Sequence, residues 1–236
     1  ACWTGATTWY ALVGEWPTYG NLAPPRLKTM DTVTVFEFTR QDRMFIAGSE
    51  ELAWLRPEHR MFPFKDVTTS LPSPIVTALR SASGVAWIGT TRGLVSHDGN
   101  KFRRMGKKDQ LYSAHVTSLA VDSNGRLWVG TARDGLFVRT EKGLWKQYRD
   151  ELPSPYVTAL AASSAGKVWV SFFAGEVLRT DGAEWERVRT PEKLKGSAIR
   201  SLAAQPDGSV IVLALEVLYR GTPAGWAPLA PAGLPA

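Results

Sequence analysis

The 236-residue sequence contains a single cysteine, Cys2, and three histidines, His59, His97 and His115. One cysteine excludes an internal disulfide, and without a Cys/His cluster there is no zinc-ligand spacing to read. No apolar run approaches the roughly 18–20 residues that span a bilayer as a helix. The opening ACWTGATTWY has neither the basic flank nor the continuous apolar stretch of a secretory leader. Cys2 follows an alanine, as the cysteine of a lipoprotein-processing site does, yet the repeat described below sets it inside a strand. Any membrane association is expected to come through segments outside this sequence.

Catalytic signatures are missing too. There is no Gly-x-Ser-x-Gly elbow, phosphate loop or HExxH. Glu50-Glu51 read as a solvated acidic tip, and His97-Asp98 as a hairpin turn where Asp is expected for backbone reasons. No catalytic residue, metal site or cofactor is assigned, and the chain is read as a non-enzyme. The net charge is +6, which favours acidic partners only weakly. The densest basic block, KFRRMGKK at 101–108, falls on an outer strand and the loop after it. It is read as a solvated edge, with no specific nucleic-acid partner.

What is present is a repeat. GVAWIGT at 84–90, GRLWVGT at 125–131 and GKVWVSF at 166–172 place Trp87, Trp128 and Trp169 at steps of 41 residues, and the same step meets Phe45, Trp3 and Ile211. A second apolar column holds Val33, Val76, Val116, Val157 and Ile199, and a third Leu52, Leu94, Leu136, Val177 and Leu218. The fourth holds Trp16, Phe62, Phe102, Trp145, Trp185 and Trp226. Four apolar columns per period imply four short strands. Between them lie turn signals, Ser123-Asn124-Gly125, Ala165-Gly166, Asp207-Gly208, Asp98-Gly99 and Asp181-Gly182, whose glycines supply the positive φ of tight hairpins. Helical periodicity is absent. One four-stranded meander cannot bury both of its faces, but radial repetition gives each a neighbour. The expectation is an all-β chain, a β-propeller of about six four-stranded antiparallel blades in a single domain over 1–236. Its repeats fall at about 1–30, 31–72, 73–113, 114–154, 155–196 and 197–236. The first repeat lacks a segment for its inner strand, so the chain is read as cut from a longer one.

HVTSLAVDSNGRLWVGTARDGLFV at 115–138 resembles the two-component regulator propeller repeat: a valine-led strand, a Gly turn, a Trp-x-Gly-Thr strand and a Gly-Leu strand. The match is good over 74–138, fair over 157–220 and weak over 1–62; Phe45 and Ile211 replace the tryptophan, and Ser171 and Leu213 the glycine. The resemblance implies a sensor or recognition propeller, periplasmic or extracellular. The expected function is non-catalytic ligand sensing or protein interaction. A structural subunit of a larger assembly stays open as an alternative. So does a propeller lyase or glycan-cleaving enzyme, for which only His115 falls on the candidate face.

That face is set by strand direction. Loops joining second to third and fourth to first strands share one end of every blade. There the repeat breaks: Thr90-Thr91-Arg92 and Thr131-Ala132-Arg133-Asp134 give way to Phe172-Phe173-Ala174, and His115 and Tyr156 lead into their inner strands. Arg92, His115, Arg133, Asp134, Tyr156, Phe172 and Phe173 are therefore the candidate contacts for a protein partner or an acidic or carbohydrate-like ligand, since aromatic faces stack and guanidinium forks bind carboxylates. One of the two phenylalanines capping the core between blades is the competing expectation.

Overall fold

Among the described residues the alternating segments form strands, and the Gly-marked breaks at 123–125, 165–166, 181–182 and 207–208 form the hairpins between them. The computed structural model describes residues 71–73, 75–98, 101–105, 111, 114–140, 142–215, 217–222 and 225–229 in full, and before residue 71 the backbone of the strands alone. A ribbon of β1 (Cys2–Thr4) and β2 (Thr8–Tyr10) comes first. Blade I is β3 (Val33–Phe38), β4 (Met44–Gly48), β5 (Leu52–Leu55) and β6 (Met61–Pro63). Blade II is β7 (Val76–Ala82), β8 (Val85–Thr90), β9 (Gly93–His97) and β10 (Phe102–Arg104). Blade III is β11 (Val116–Val121), β12 (Leu127–Thr131), β13 (Leu136–Arg139) and β14 (Trp145–Tyr148). Blade IV is β15 (Val157–Ala162), β16 (Val168–Phe172), β17 (Val177–Thr180) and β18 (Trp185–Val188). Blade V is β19 (Ile199–Ala204), β20 (Val210–Ala214), β21 (Val217–Thr222) and β22 (Gly225–Pro228). The chain is thus an all-β propeller of antiparallel four-stranded meanders, five of them among the described residues, plus the ribbon. Trp16 and the fourth strand expected of the first repeat lie outside the described residues.

Inner strands of successive blades lie side by side, β3 against β7, β7 against β11, β11 against β15 and β15 against β19. The period of two divides each second strand between two interfaces. Trp128 goes with Leu136 and Tyr148 into a core shared with Val157, Val168 and Val170 of blade IV, while Leu127 and Val129 face Trp87 of blade II. Trp169 repeats this against Ile199, Val210 and Val212 of blade V. Trp87, Trp128 and Trp169 are all buried, and each points toward the following blade. On the corresponding side of blade V the columns loosen: Ile211 is half-buried and Leu218 is 43% exposed.

The glycine two places after the tryptophan permits this approach. A Cβ at Gly89 would stand 2.5 Å from Val116 Cγ1, and one at Gly130 2.7 Å from Val157 Cγ1. Every inner strand carries a bulge at its second residue, as between Val76 and Ala78 or Val116 and Ser118, and a bulge re-aims a side chain. Thr77 Oγ1 donates to the Val116 carbonyl, and Thr117 Oγ1 to the Val157 carbonyl, each at 2.7 Å. In blade IV, Ser171 replaces the glycine, and its hydroxyl takes the bond of Thr158 at 2.9 Å instead.

The opposite end of the blades is held by turn chemistry. Asp122 accepts from Trp128 Nε1 at 2.8 Å and Arg126 Nε at 2.7 Å, and Arg126 reaches the Asp181 carbonyl of blade IV at 2.6 Å. Ser163 stands at the matching place before Trp169, its hydroxyl serving the Lys167 carbonyl, and Trp169 Nε1 is buried without a partner. The Lys167 ammonium, followed by the amides of Glu184 and Ala183, holds the Asp181 carboxyl well below the usual carboxylate range. Its folded pKa is depressed, so whatever stability it lends is present above the ordinary carboxylate range and is lost as pH falls through the folded value.

Trp128→Ala is expected to cost about 3–5 kcal/mol by opening a cavity between blades III and IV. Denaturant unfolding measures it, and a loss under about 1 kcal/mol would show that the column does not bear on the neighbouring blade.

Candidate functional site

Blades II and III build the loop face with one repeated device, from which blade IV departs through Phe172 and blade V through Ala214. In blades II and III, a threonine ends the second strand and ties its own loop. Thr90 Oγ1 donates to the Gly93 carbonyl at 2.8 Å and accepts the Arg92 amide at 3.2 Å; Thr131 Oγ1 does the same with the Gly135 carbonyl at 2.8 Å and the Asp134 amide at 2.9 Å. The loops then bond back to the residues that lead into the inner strands. The Thr91 amide donates to the Ile75 carbonyl, the Ala132 amide to that of His115 and the Phe173 amide to that of Tyr156, at 3.2, 2.9 and 3.3 Å. Ile75, His115 and Tyr156 therefore share a place on the face, as do Thr91, Ala132 and Phe173.

In blade IV the threonine is Phe172, which has no hydroxyl to give. The loop closes through backbone alone, the Phe172 amide to the Glu176 carbonyl at 3.0 Å and the Gly175 amide to the Phe172 carbonyl at 3.1 Å. Phe172 keeps step with Val168 and Val170 and is fully buried in the core between blades III and IV. The structure thus takes it off the surface, as the competing expectation had one phenylalanine do. Phe173, one residue on, is 55% exposed and stacks on Tyr156, itself 36% exposed, with ring centres 5.1 Å apart and planes at 15°.

The remaining candidates belong to blades II and III. His115 is exposed at the lead-in to β11, and Arg92 and Arg133 are exposed in the loops of blades II and III. Neither guanidinium has a hydrogen-bond or ionic partner among the described residues. Asp134 is half-buried and its backbone is structural, the amide bound by Thr131 and the carbonyl by Gln147 Nε2 at 2.7 Å.

Sequence reasoning missed a cleft of about 410 Å³ beside Phe173, lined by Ala174 to Glu176, the strand end Arg187 to Thr190, Glu192 and Lys195. It exists because Gly175, at φ +88°, lies against the Leu194 carbonyl where no side chain would fit, while the Gly196 amide donates to the Ala174 carbonyl at 2.8 Å. Leu194, buried in a short 3₁₀ turn (Glu192–Leu194), anchors this link. Lys195 pairs with Glu192 at 2.6 Å. The exposed Arg187 and Arg189 side chains have no partner among the described residues, and Glu176 Oε2 is buried without a donor. No local pattern marks such a cleft, since it forms only where the strand end and the link to the next blade meet. Among the described residues there is no group of three or more metal-ligating side chains, and no helix long and apolar enough to cross a membrane.

The sequence model for the two component regulator propeller matches residues 113–133, the turn-flanked heart of blade III. The resemblance to that repeat is therefore shown for one blade. No curated protein matches the chain. Solved structures share the fold at low identity. Virginiamycin B lyase from Staphylococcus aureus superposes with a TM-score of 0.67 at 14% identity, over 84% of this chain and 69% of the lyase. The extracellular domain of a one component system from B. thetaiotaomicron gives 0.68 at 14% identity, over 85% of this chain and 28% of that one. YCF48 bound to a D1 peptide gives 0.63 at 14% identity, over 85% and 69%. These likenesses define a class, the β-propellers, that holds a lyase, the extracellular domain of a one component system and a protein bound to a peptide.

The two phenylalanines are expected to separate cleanly. Phe172→Ser should cost roughly 3 kcal/mol or more through a polar group and cavity in the core, and Phe173→Ser should stay within about 1 kcal/mol of wild type. Paired denaturant curves read both, and equal losses would contradict the assignment.

Proposed function

We propose that the chain is a non-catalytic recognition propeller, and that its partner is an acidic peptide segment bound on the loop face of blades III and IV. The observation that carries this reading is the Tyr156–Phe173 stack: two large rings left in solvent at a loop where the repeat departs from its own pattern. Their exposure does nothing for the core, whereas aromatic rings in a loop supply contact area at low entropic cost. Arg133 in the loop of neighbouring blade III, and Arg187 and Arg189 in the adjoining cleft, are exposed cations whose side chains have no partners among the described residues, which suits a carboxylate-bearing ligand. The fold likeness to a peptide-bound propeller and to an extracellular sensor domain supports a binding role outside the cytoplasmic membrane, in which the chain acts as one propeller unit.

The test is selection on the full chain from a displayed library of random twelve-residue peptides, run beside a saccharide array. Peptides rich in Asp and Glu with an apolar anchor are expected. Their affinity should fall about tenfold or more for Phe173→Ser and for Arg133→Ala, at unchanged unfolding midpoints. Selected peptides that bind both variants as well as wild type would remove this face from consideration, and binding to saccharides alone would replace the ligand class. His115→Ala tests the enzyme alternative separately: an activity abolished by that change would overturn the non-catalytic reading.

A further inference from the structure

Blade V occupies the corresponding part of the face with a different turn. Ala214 pairs with Val217, so only positions 215 and 216 connect β20 to β21, against four residues in blade IV. Two-residue hairpin connections of the favoured types place the first central residue at positive φ and are met by Asn-Gly, Gly-Asn or similar pairs. Here the first is leucine. Leu215 sits at φ +50°, a left-handed backbone that branched and bulky side chains avoid. Its side chain is 57% exposed.

Neither property helps the fold. The strain opposes folding, and an exposed leucine leaves apolar area in water. Strained, exposed residues of this kind persist where something outside the fold uses them. The place of Leu215 on the propeller says what that use is. Val157 pairs with Phe172 and Ile199 with Ala214, so Leu215 is to blade V what Phe173 is to blade IV, at the same end of the neighbouring second strand. That place stays open to solvent in blades that have a following neighbour. Thr91 and Ala132 are half-exposed there, and Phe173 is exposed.

We infer that Leu215 is a specificity-determining residue of the recognition face, an apolar contact that takes a second aliphatic or aromatic side chain of the peptide bound at Tyr156 and Phe173. This rests on the reading of that face as a peptide site. It makes the partner a segment with two apolar anchors, one per blade, separated by acidic residues that meet Arg187 and Arg189 in the cleft between. The tight turn projects the leucine outward, where the longer loop of blade IV could hold a side chain without strain.

The experiment pairs Leu215→Asn with Leu215→Ala in the full chain and measures melting and affinity for the peptides selected on wild type. Asn tolerates the left-handed turn, so the first variant should melt about 2–4 °C higher. Ala retains the backbone cost, and its melting temperature should not rise. Both lack the apolar contact, so both should weaken peptide binding about tenfold, through a faster off-rate. The inference is overturned if both variants bind the peptides within twofold of wild type. It is also overturned if the affinity of Leu215→Asn falls and that of Leu215→Ala does not, because the turn and not the side chain would then matter. Phe173→Ser measured alongside separates the two levels: if that variant also binds unchanged, the peptide face itself is wrong, and if it alone loses binding, only the role of Leu215 is.

Discussion

The contact on which the rest depends is the seating of one blade's second strand against the next blade's inner strand. A tryptophan fills the middle of the interface, and two residues later a glycine lets the neighbouring valine come within van der Waals reach of the backbone. Burial of an indole of about 150–250 Å² is worth roughly 4–6 kcal/mol as an upper figure, more than the turns and bulges of a blade contribute singly. Because a meander has two apolar faces, each such contact both completes one blade and creates the demand for the next. The bulge threonines add a hydrogen-bonded ring on the inside, from Thr77 to Val116 and from Thr117 to Val157.

Blade IV carries an altered form of that motif, and its loop differs accordingly. With Ser171 in place of glycine, the Thr158 hydroxyl turns to its own blade, and with Phe172 in place of threonine the loop loses its side-chain tie. The core gains a ring from Phe172, and the loop, closed by backbone alone, presents the residue after it to solvent. The place occupied by Phe173 is open to solvent in blades II and III too, and blade IV differs in filling it with a ring that stacks on Tyr156. The cleft beside it has a related origin, since the loop of blade IV needs Gly175 to pass under the Leu194 carbonyl and so fixes the link that forms the cleft wall. The distinctive surface of this face grows out of a departure from the repeat, whereas the opposite end stays with the Asp, Asn, Ser and Gly turns that the repeat requires.

Much of this was legible in advance because it is periodic. The columns led by Val76, Val116, Val157 and Ile199 begin the inner strands, and those through Trp87, Trp128 and Trp169 lie in the second strands and are buried between blades. The period of two also contained the answer for Phe172, which is in phase with Val168 and Val170, although residue type alone made it look like a partner to Phe173. Leu218 and Ile211 were legible as members of their columns but not as partly exposed ones, because burial depends on what packs against a face and not on the face. The candidates Arg92, His115 and Arg133 came to one end of the propeller by strand direction, yet only Tyr156 and Phe173 touch.

The sequence by itself determined the strand order, the hairpins, the interblade tryptophans and the end of the blades to which each loop belongs. Those properties arise from local spacing: apolar alternation sets the pleat, and glycine sets the turn. Only the folded arrangement opened a cleft beside Gly175, brought Arg126 to the Asp181 carbonyl of the next blade, and left Ile211 and Leu218 partly exposed. Each depends on contacts between segments far apart in sequence, as Arg126 and Asp181 are at 55 residues, and such contacts are settled by packing between blades and links rather than by the pattern within any one of them.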